Sequence, residues 1–172
     1  MEIILMAAVT LDGKLARHAA HLSDWTSPED KKLFRTETRR AGVIILGHNT
    51  FRTLARPLPG RLHIVLTRDR SDKVDIPGVV EYTSAPPATI AADLAARGYT
   101  RAILVGGAQA NALFLAADLV DEIWLTVEPV IFGEGLSLFA GMAFDRRARL
   151  VSLTPLNADA FLARYSLRPS SE

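Results

Sequence analysis

The chain has 172 residues, of which 49% are hydrophobic, with 20 Lys and Arg against 19 Asp and Glu and no cysteine. Its length suits a single domain with a buried core, and its net charge of +1 gives no general attraction to nucleic acid or to an anionic membrane. The lack of cysteine excludes disulfides, a thiolate nucleophile and cysteine-ligated metals. We therefore expect one domain over residues 1–172.

The first residues lack the basic region and the cleavage site of a signal peptide. No apolar run reaches the ~18 residues that a membrane span requires. The four histidines are scattered along the chain, so we predict no metal site. These observations favour a cytoplasmic protein with a small-molecule substrate and without nucleic-acid or membrane partners.

Apolar runs of strand length alternate with helical patterns along most of the chain. Ser27 is a typical helix cap, and Pro28 suits the first helical position. Helices are predicted over 27–39, 88–97 and 108–117, and strands over 2–9, 43–46, 62–67, 101–105, 122–127, 150–153 and 160–167.

The alternation of apolar strands with helices indicates the α/β fold class, with a mostly parallel central sheet and helices on both of its faces. In the last third of the chain, strands follow one another without an intervening helix. This arrangement predicts an antiparallel C-terminal edge.

Three predicted strands end in residues that suit an anionic cofactor. Gly106 and Gly107 end a strand and open a helix, so bare backbone is able to approach a pyrophosphate. Residues 47–50 repeat this pattern, and Thr50 offers a hydroxyl for the ligand or for capping the helix. Residues 67–70 place a hydroxyl and two cations after a strand, which suits the 2′-phosphate of NADP.

Each strand end also has a plainer explanation. The Gly106–Gly107 pair makes an ordinary tight turn in many proteins, and it lacks the third glycine of the G-x-G-x-x-G fingerprint. The cations Arg68 and Arg70 suit a solvated loop equally well.

Two sets of motifs resemble known reductases over about residues 3–140. One set is similar to dihydrofolate reductases: Trp25-x-x-Pro28-x-Asp30-x-x-x-Phe34-x-x-x-Thr38, Gly47-x-x-Thr50-Phe51, Arg56-Pro57-Leu58-Pro59-Gly60-Arg61, Gly106-Gly107 with Phe114-Leu115, and Trp124-Leu125-Thr126. The other is similar to the reductase domain of the riboflavin-biosynthesis bifunctional deaminase-reductase: residues 10–14, 25–28, 119–122 and 128–135. The two families share one fold.

The resemblance implies a dihydrofolate reductase-like three-layer α/β/α sandwich that binds NADPH, and its riboflavin-type part implies a homodimer. It also implies a cis peptide between Gly106 and Gly107. The implied cofactor residues are Ala8 beside the nicotinamide, Gly47 and Thr50 at the pyrophosphate, Thr67 and Arg68 at the 2′-phosphate, and Trp25, His48, Val105, Gly106, Gly107, Ala108 and Gln109.

The resemblance also implies a substrate site. Asp30 stands at the position of the dihydrofolate reductase acid, and Thr126 at that of the threonine that hydrogen-bonds it. Arg61 matches the arginine that binds the folate carboxylate, and Phe34 and Leu58 would line the pocket. Chemically, a buried carboxyl of raised pKa suits protonation of a C=N bond that NADPH reduces.

Alternatives remain open for these residues. Helix capping alone favours an acid at the position of Asp30, while Thr126 suits a strand and Phe34 suits a core. Lys31 replaces an apolar pocket residue of dihydrofolate reductases. Relative to the riboflavin enzyme, Gly106 replaces an acidic residue and Thr38 replaces an arginine.

Three functions follow from these patterns. The first is an NADPH-dependent reductase similar to the 5-amino-6-(5-phosphoribosylamino)uracil reductase domain, acting on a pyrimidine- or pterin-type heterocycle. The second is dihydrofolate reductase. The third is a nucleotide-binding module without catalysis, which the replacements at Gly106 and Thr38 motivate.

Overall fold

A computed structural model describes residues 1–140 and 143–168 of the chain. The strands are β1 (Glu2–Thr10), β2 (Lys14–Ala16), β3 (Val43–Gly47), β4 (Leu62–Leu66), β5 (Val80–Thr83), β6 (Arg101–Leu104), β7 (Glu122–Glu128), β8 (Leu136–Ser137), β9 (Arg149–Pro155) and β10 (Phe161–Ser166). The helices are α1 (Pro28–Ala41), α2 (His48–Arg52), α3 (Pro87–Ala96) and α4 (Ala108–Ala116), with a short 3₁₀ helix at Ser23–Trp25.

Eight strands form the main sheet in the order β5-β4-β3-β6-β1-β7-β10-β9. The first six strands of this order pair in parallel. Strand β10 pairs antiparallel with β7 and with β9, which gives the predicted antiparallel edge. The carboxyl ends of β1, β3, β6 and β7 therefore lie at one edge of the sheet.

Two apolar clusters cover opposite faces of the sheet because successive strand side chains alternate between the faces. Ile3 and Leu5 belong to one cluster, against Leu94 of α3 and Phe114 of α4. Ile4 and Met6 belong to the other, which includes side chains of α1 and α2. The predicted three-layer α/β/α sandwich is confirmed.

Short elements are where the structure departs from the sequence patterns. Strands β2, β5 and β8 were not predicted, since two to four residues carry too little periodicity. Strands β2 and β8 pair in a separate sheet. Beside this small sheet, position 135 has no room for a side chain, because a Cβ atom at Gly135 would lie 2.5 Å from the Ala16 carbonyl oxygen. Among the described residues, no helix is long and apolar enough to cross a membrane.

His63 of β4 is fully buried and links two loops at the amino ends of the parallel strands. Its Nε2 accepts a hydrogen bond from the Leu58 backbone N–H at 2.9 Å, and its Nδ1 lies 2.9 Å from the Val79 carbonyl oxygen. These two contacts require a neutral ring that carries its proton on Nδ1. Burial lowers the pKa of His63 below 6.5.

This burial predicts a pH dependence of stability. The unfolded chain takes up a proton at His63 below about pH 6.5, whereas the folded chain resists it, so the free energy of unfolding falls there by up to about 1.4 kcal/mol per pH unit. His63→Gln, which keeps an acceptor, should remove this component from urea unfolding curves. Exposed His18→Gln is the control. Parallel wild-type and His63→Gln profiles would contradict the prediction.

Candidate active site

Four buried polar side chains meet where the beginning of α1 packs against β7. They are Thr26 and Asp30 beside the start of α1, and Thr126 and Glu128 on the strand, each 8% exposed or less. Thr126 and Glu128 are two residues apart, so both project from the face of the sheet that α1 covers. Such a buried group of carboxyls and hydroxyls is the main candidate for acid–base chemistry.

Helix α1 begins at this point because Ser27 caps it. The Ser27 hydroxyl accepts a hydrogen bond from the Asp30 backbone N–H at 3.2 Å, and Pro28 occupies the first helical position. The same hydroxyl donates to Glu128 Oε1 at 2.7 Å, and the Ser27 backbone N–H donates to that oxygen at 2.8 Å. A carboxylate 101 residues away therefore anchors the helix start to β7.

This arrangement bears on the capping interpretation of Asp30. In a capping box, the side chain at the third helical position accepts from the backbone N–H of the cap residue. Here Glu128 accepts from that N–H, while the hydroxyls of Thr126 and Thr26 hydrogen-bond the Asp30 carboxyl. The Asp30 side chain is thus directed toward β7.

The surroundings of Asp30 favour its neutral form. Burial raises the pKa of Asp30 above its ordinary value of 3.8, and the nearby Glu128 carboxylate raises it as well. The hydroxyls of Thr126 and Thr26 and the charge of Lys31 act in the opposite direction, but the net shift is upward. The Lys31 ammonium group donates to the Thr26 carbonyl oxygen at 2.9 Å and is largely occupied there.

A region of bare backbone lies at the same edge of the sheet, where β3 and β6 end. The peptide between Gly106 and Gly107 is cis, as predicted. The Gly47 N–H donates to the Gly106 carbonyl oxygen at 2.7 Å, and a side chain at Gly107 would begin 3.0 Å from Thr50 Oγ1. Gly47, Gly106 and Gly107 thus form a surface without side chains. The space that a Cβ atom would take up there is suited to a pyrophosphate.

The alternative that the Thr50 hydroxyl caps helix α2 is wrong. The cap residue of α2 is Gly47, and Thr50 lies inside the helix, so the Thr50 hydroxyl does not cap it.

The remaining predicted cofactor residues lie around this edge. Ala8 on β1 is directly opposite Thr126 in the strand pairing. Burial lowers the pKa of His48, at the start of α2, and its ring is edge-on to Tyr82. The Thr67 hydroxyl donates to the Asp69 carbonyl oxygen at 2.7 Å, within its own turn. Val105 is half-buried, Ala108 is buried, and Arg68 and Gln109 are exposed.

Arg61 lies toward the other end of α1. Its guanidinium donates to Thr38 Oγ1 and, at 3.3 Å, to the Pro59 carbonyl oxygen. Arg61 is 6% exposed, and burial together with the charge of Arg39 lowers its pKa. Within the described part of the chain, no carboxylate forms an ion pair with Arg61. A buried cation without a counter-ion is suited to an anionic ligand.

The two substrate-pocket candidates occupy different surroundings. Leu58 lines a depression of about 300 Å³ together with Arg61 and Tyr99. Phe34 on α1 is half-buried and packs against the apolar cluster that covers this face of the sheet. Its position is consistent with the core interpretation as well as with a pocket wall.

Two loops beside the carboxyl cluster are joined by Asp12. Its carboxylate accepts from the Thr10 hydroxyl at 2.6 Å and from the Gly133 backbone N–H at 2.7 Å. These hydrogen bonds, chiefly that of Thr10, lower the pKa of Asp12 to about 2. Phe132 packs edge-on against Trp25, with ring centres 5.1 Å apart. The loop after β1, the Trp25 segment and the loop after β7 therefore form one rim.

Glu128 and Asp12 were not among the predicted site residues. For Glu128, a signal was present in the sequence, since it follows Thr126 by two positions, directly after the strand predicted over 122–127. For Asp12, no local pattern reveals the partner loop, because its bond to Gly133 joins residues 121 positions apart.

The fold and this site together define the dihydrofolate reductase-like class. The chain belongs to the family of the RibD C-terminal domain, whose model matches residues 1–162. A dihydrofolate reductase of Neisseria meningitidis is 32% identical over 160 residues, which cover 88% of this chain and 91% of that protein.

Other similar proteins are matched over only part of their length. Dihydrofolate reductase type 9 of Escherichia coli is 33% identical over 104 residues, which cover 59% of this chain and 57% of that protein. The diaminohydroxyphosphoribosylaminopyrimidine deaminase/5-amino-6-(5-phosphoribosylamino)uracil reductase of Thermotoga maritima has a TM-score of 0.80 and 19% identity. That match covers 97% of this chain and 56% of the Thermotoga chain, and at this identity it shows the fold alone.

The bare backbone at position 107 predicts a specific steric cost. Gly107→Ala should lower the free energy of unfolding by about 1 kcal/mol, because the new Cβ would crowd Thr50 Oγ1. Gly47→Ala is the matched control, since its Cβ would make an ordinary 3.7 Å contact with the Gly107 nitrogen.

Urea unfolding measures both variants. Adding Thr50→Ala to Gly107→Ala should recover part of the lost stability because it removes the crowded oxygen. Equal stability of the two single variants, or no recovery in the double variant, would show that Gly107 is not sterically confined by Thr50.

Proposed function

We propose that this chain is an NADPH-dependent reductase whose substrate is a pyrimidine- or pterin-type heterocycle bearing an anionic group. The observation that carries the proposal is the buried Asp30 carboxyl. It has a raised pKa and is hydrogen-bonded by Thr126, which lies opposite Ala8 in the sheet. A neutral carboxyl at this position is suited to protonating or hydrogen-bonding a ring nitrogen.

The cofactor residues follow from the bare-backbone surface. Gly47, Gly106 and Gly107 would hold the pyrophosphate of NADPH, while Thr67 and the exposed Arg68 would contact the 2′-phosphate. When bound, NADPH supplies the hydride.

Residues of the chain itself would position the proton that the reduction requires. The raised pKa of Asp30 favours a proton on its carboxyl, and the Thr126 hydroxyl is a hydrogen-bond partner of that carboxyl. A C=N bond accepts a hydride far more readily once its nitrogen is protonated.

A second requirement on the substrate comes from Arg61. Its partner Thr38 is eight residues beyond Asp30 on α1, or about 12 Å along the helix axis. The substrate would therefore place its reducible C=N bond near Asp30 and its anionic group near Arg61. The exposed side chains of Lys32, Arg35 and Arg39 on α1 add positive charge on this side.

Two substrates meet both requirements. A phosphoribosylamino-pyrimidine carries a phosphate, and the family match over residues 1–162 favours it. Dihydrofolate carries a carboxylate, and the Asp30–Thr126 contact together with the Neisseria relative favours dihydrofolate. Assays of NADPH oxidation with each compound distinguish them. NADPH binding without turnover of either would instead support a module that has lost catalysis.

The proposal predicts the effect of removing the Asp30 proton. Asp30→Asn should lower kcat/KM for NADPH oxidation by about 100-fold or more, because an amide does not supply a proton to the ring nitrogen. The dissociation constant for NADPH should stay within about twofold. Glu29→Gln, an exposed acid in the same helical turn, is the control. Wild-type turnover by Asp30→Asn would contradict the assigned role.

The anion site predicts a different kinetic change. Arg61→Met keeps the apolar volume but removes the charge, so KM should rise about 10-fold while kcat changes little. A substrate analogue without the anionic group should show no such increase. Arg97→Met, which removes an exposed arginine paired with Glu81, provides the control. If Arg61→Met raised KM equally for the substrate and for this analogue, the change would indicate general damage to the pocket.

A further inference from the structure

We propose that Glu128 is a positioning residue whose carboxylate keeps the proton on Asp30, and that it thereby sets the pH range of the reduction. The inference rests on the proposed function, because it assigns a purpose to a protonated Asp30. It adds a residue to which neither the motifs nor the resemblance gave a role.

The first step in the argument is the location of Glu128. Its side chain is 3% exposed and lies in the same buried group as Asp30. Both Ser27 donors bind Glu128 Oε1, at 2.7 and 2.8 Å, and both would be satisfied by a neutral acceptor such as an amide oxygen. A second carboxylate beside a buried acid is thus more than the helix cap requires.

The second step concerns charge. Two carboxyls in one buried site do not both ionise readily, because the like charges repel at low effective dielectric constant. Glu128 Oε1 accepts from both the Ser27 N–H and the Ser27 O–H, at the N-terminal end of α1. Among the described residues, the hydrogen-bond partners of the Asp30 carboxyl are the hydroxyls of Thr126 and Thr26. The proton therefore resides on Asp30.

Among the described residues, two charged groups act on Asp30. From β7 there is Glu128, which disfavours ionisation of Asp30, and from α1 there is Lys31, which favours it. The Lys31 ammonium is held by the Thr26 and Asp24 carbonyl oxygens, at 2.9 and 3.5 Å. Glu128 is thus the group in this cluster whose charge opposes ionisation of Asp30, in addition to burial itself.

The test is a titration of the Asp30 carboxyl carbon by carbon-13 NMR in the unligated protein, with Asp30→Asn to assign the signal. In Glu128→Gln, which keeps an acceptor for Ser27, the acid dissociation constant of Asp30 should increase about 10-fold. Glu128→Asp keeps the charge and should stay closer to wild type. Glu29→Gln removes a surface charge from the same helical turn and should leave the titration unchanged.

A purely structural role for Glu128 predicts a different result. Glu128→Gln would then lower the melting temperature but leave the titration of Asp30 as in wild type, which would overturn the inference. If Glu128→Gln does not fold, Glu128→Met, which removes the charge and keeps a side chain of similar volume in the buried site, provides the comparison. An unchanged or raised Asp30 pKa in the variant that folds would likewise overturn it.

Kinetics separate this inference from the proposed function. With an active substrate, kcat/KM of Glu128→Gln should be about 10-fold lower than wild type on the alkaline side of the profile and within about twofold on the acid side. If no substrate is turned over, the proposed function fails, while the NMR titration still decides whether Glu128 holds the proton on Asp30. If turnover is robust but the pH profile does not move, the inference fails alone.

Discussion

The burial of two carboxyls where α1 meets β7 is the constraint on which the site depends. A buried carboxylate is unfavourable unless donors surround it, and the beginning of a helix provides backbone N–H groups for that purpose. Glu128 uses the Ser27 donors, which fixes where α1 begins relative to the sheet. Once that contact is made, Asp30 lies next to the hydroxyls of Thr126 and Thr26, and its surroundings raise its pKa.

The parallel sheet brings the other parts of the site to the same edge. Alternation along β7 places Thr126 and Glu128 on the face that α1 covers, and pairing with β1 places Ala8 beside Thr126. Gly47 ends β3, and Gly106 and Gly107 lie just after β6, so the backbone at this edge carries no side chain at these three positions. The buried carboxyls and the bare backbone that we propose to bind a dinucleotide thus lie at one edge of the same sheet.

Most of the fold was predictable because long apolar strands and capped helices carry strong local patterns, as residues 43–47 and the start of α1 illustrate. The Asp30–Thr126 contact and the cis peptide at Gly106–Gly107 followed from the resemblance to reductases, since neither has a local signature. The role of Glu128 was not predictable in this way. In a capping box, the acceptor for the Ser27 N–H is the side chain three residues later. In the structure, that acceptor is the Glu128 carboxyl, 101 residues away.

The central claim is that Asp30 keeps its proton to a higher pH than an ordinary aspartic acid does. The most direct test is the infrared difference spectrum between the unligated wild type and Asp30→Asn at about pH 5. A neutral carboxylic acid has its own carbonyl band, distinct from that of a carboxylate. The account predicts such a band in the wild type and its loss in Asp30→Asn. A wild-type spectrum without the band, or a band that Asp30→Asn leaves unchanged, would contradict it.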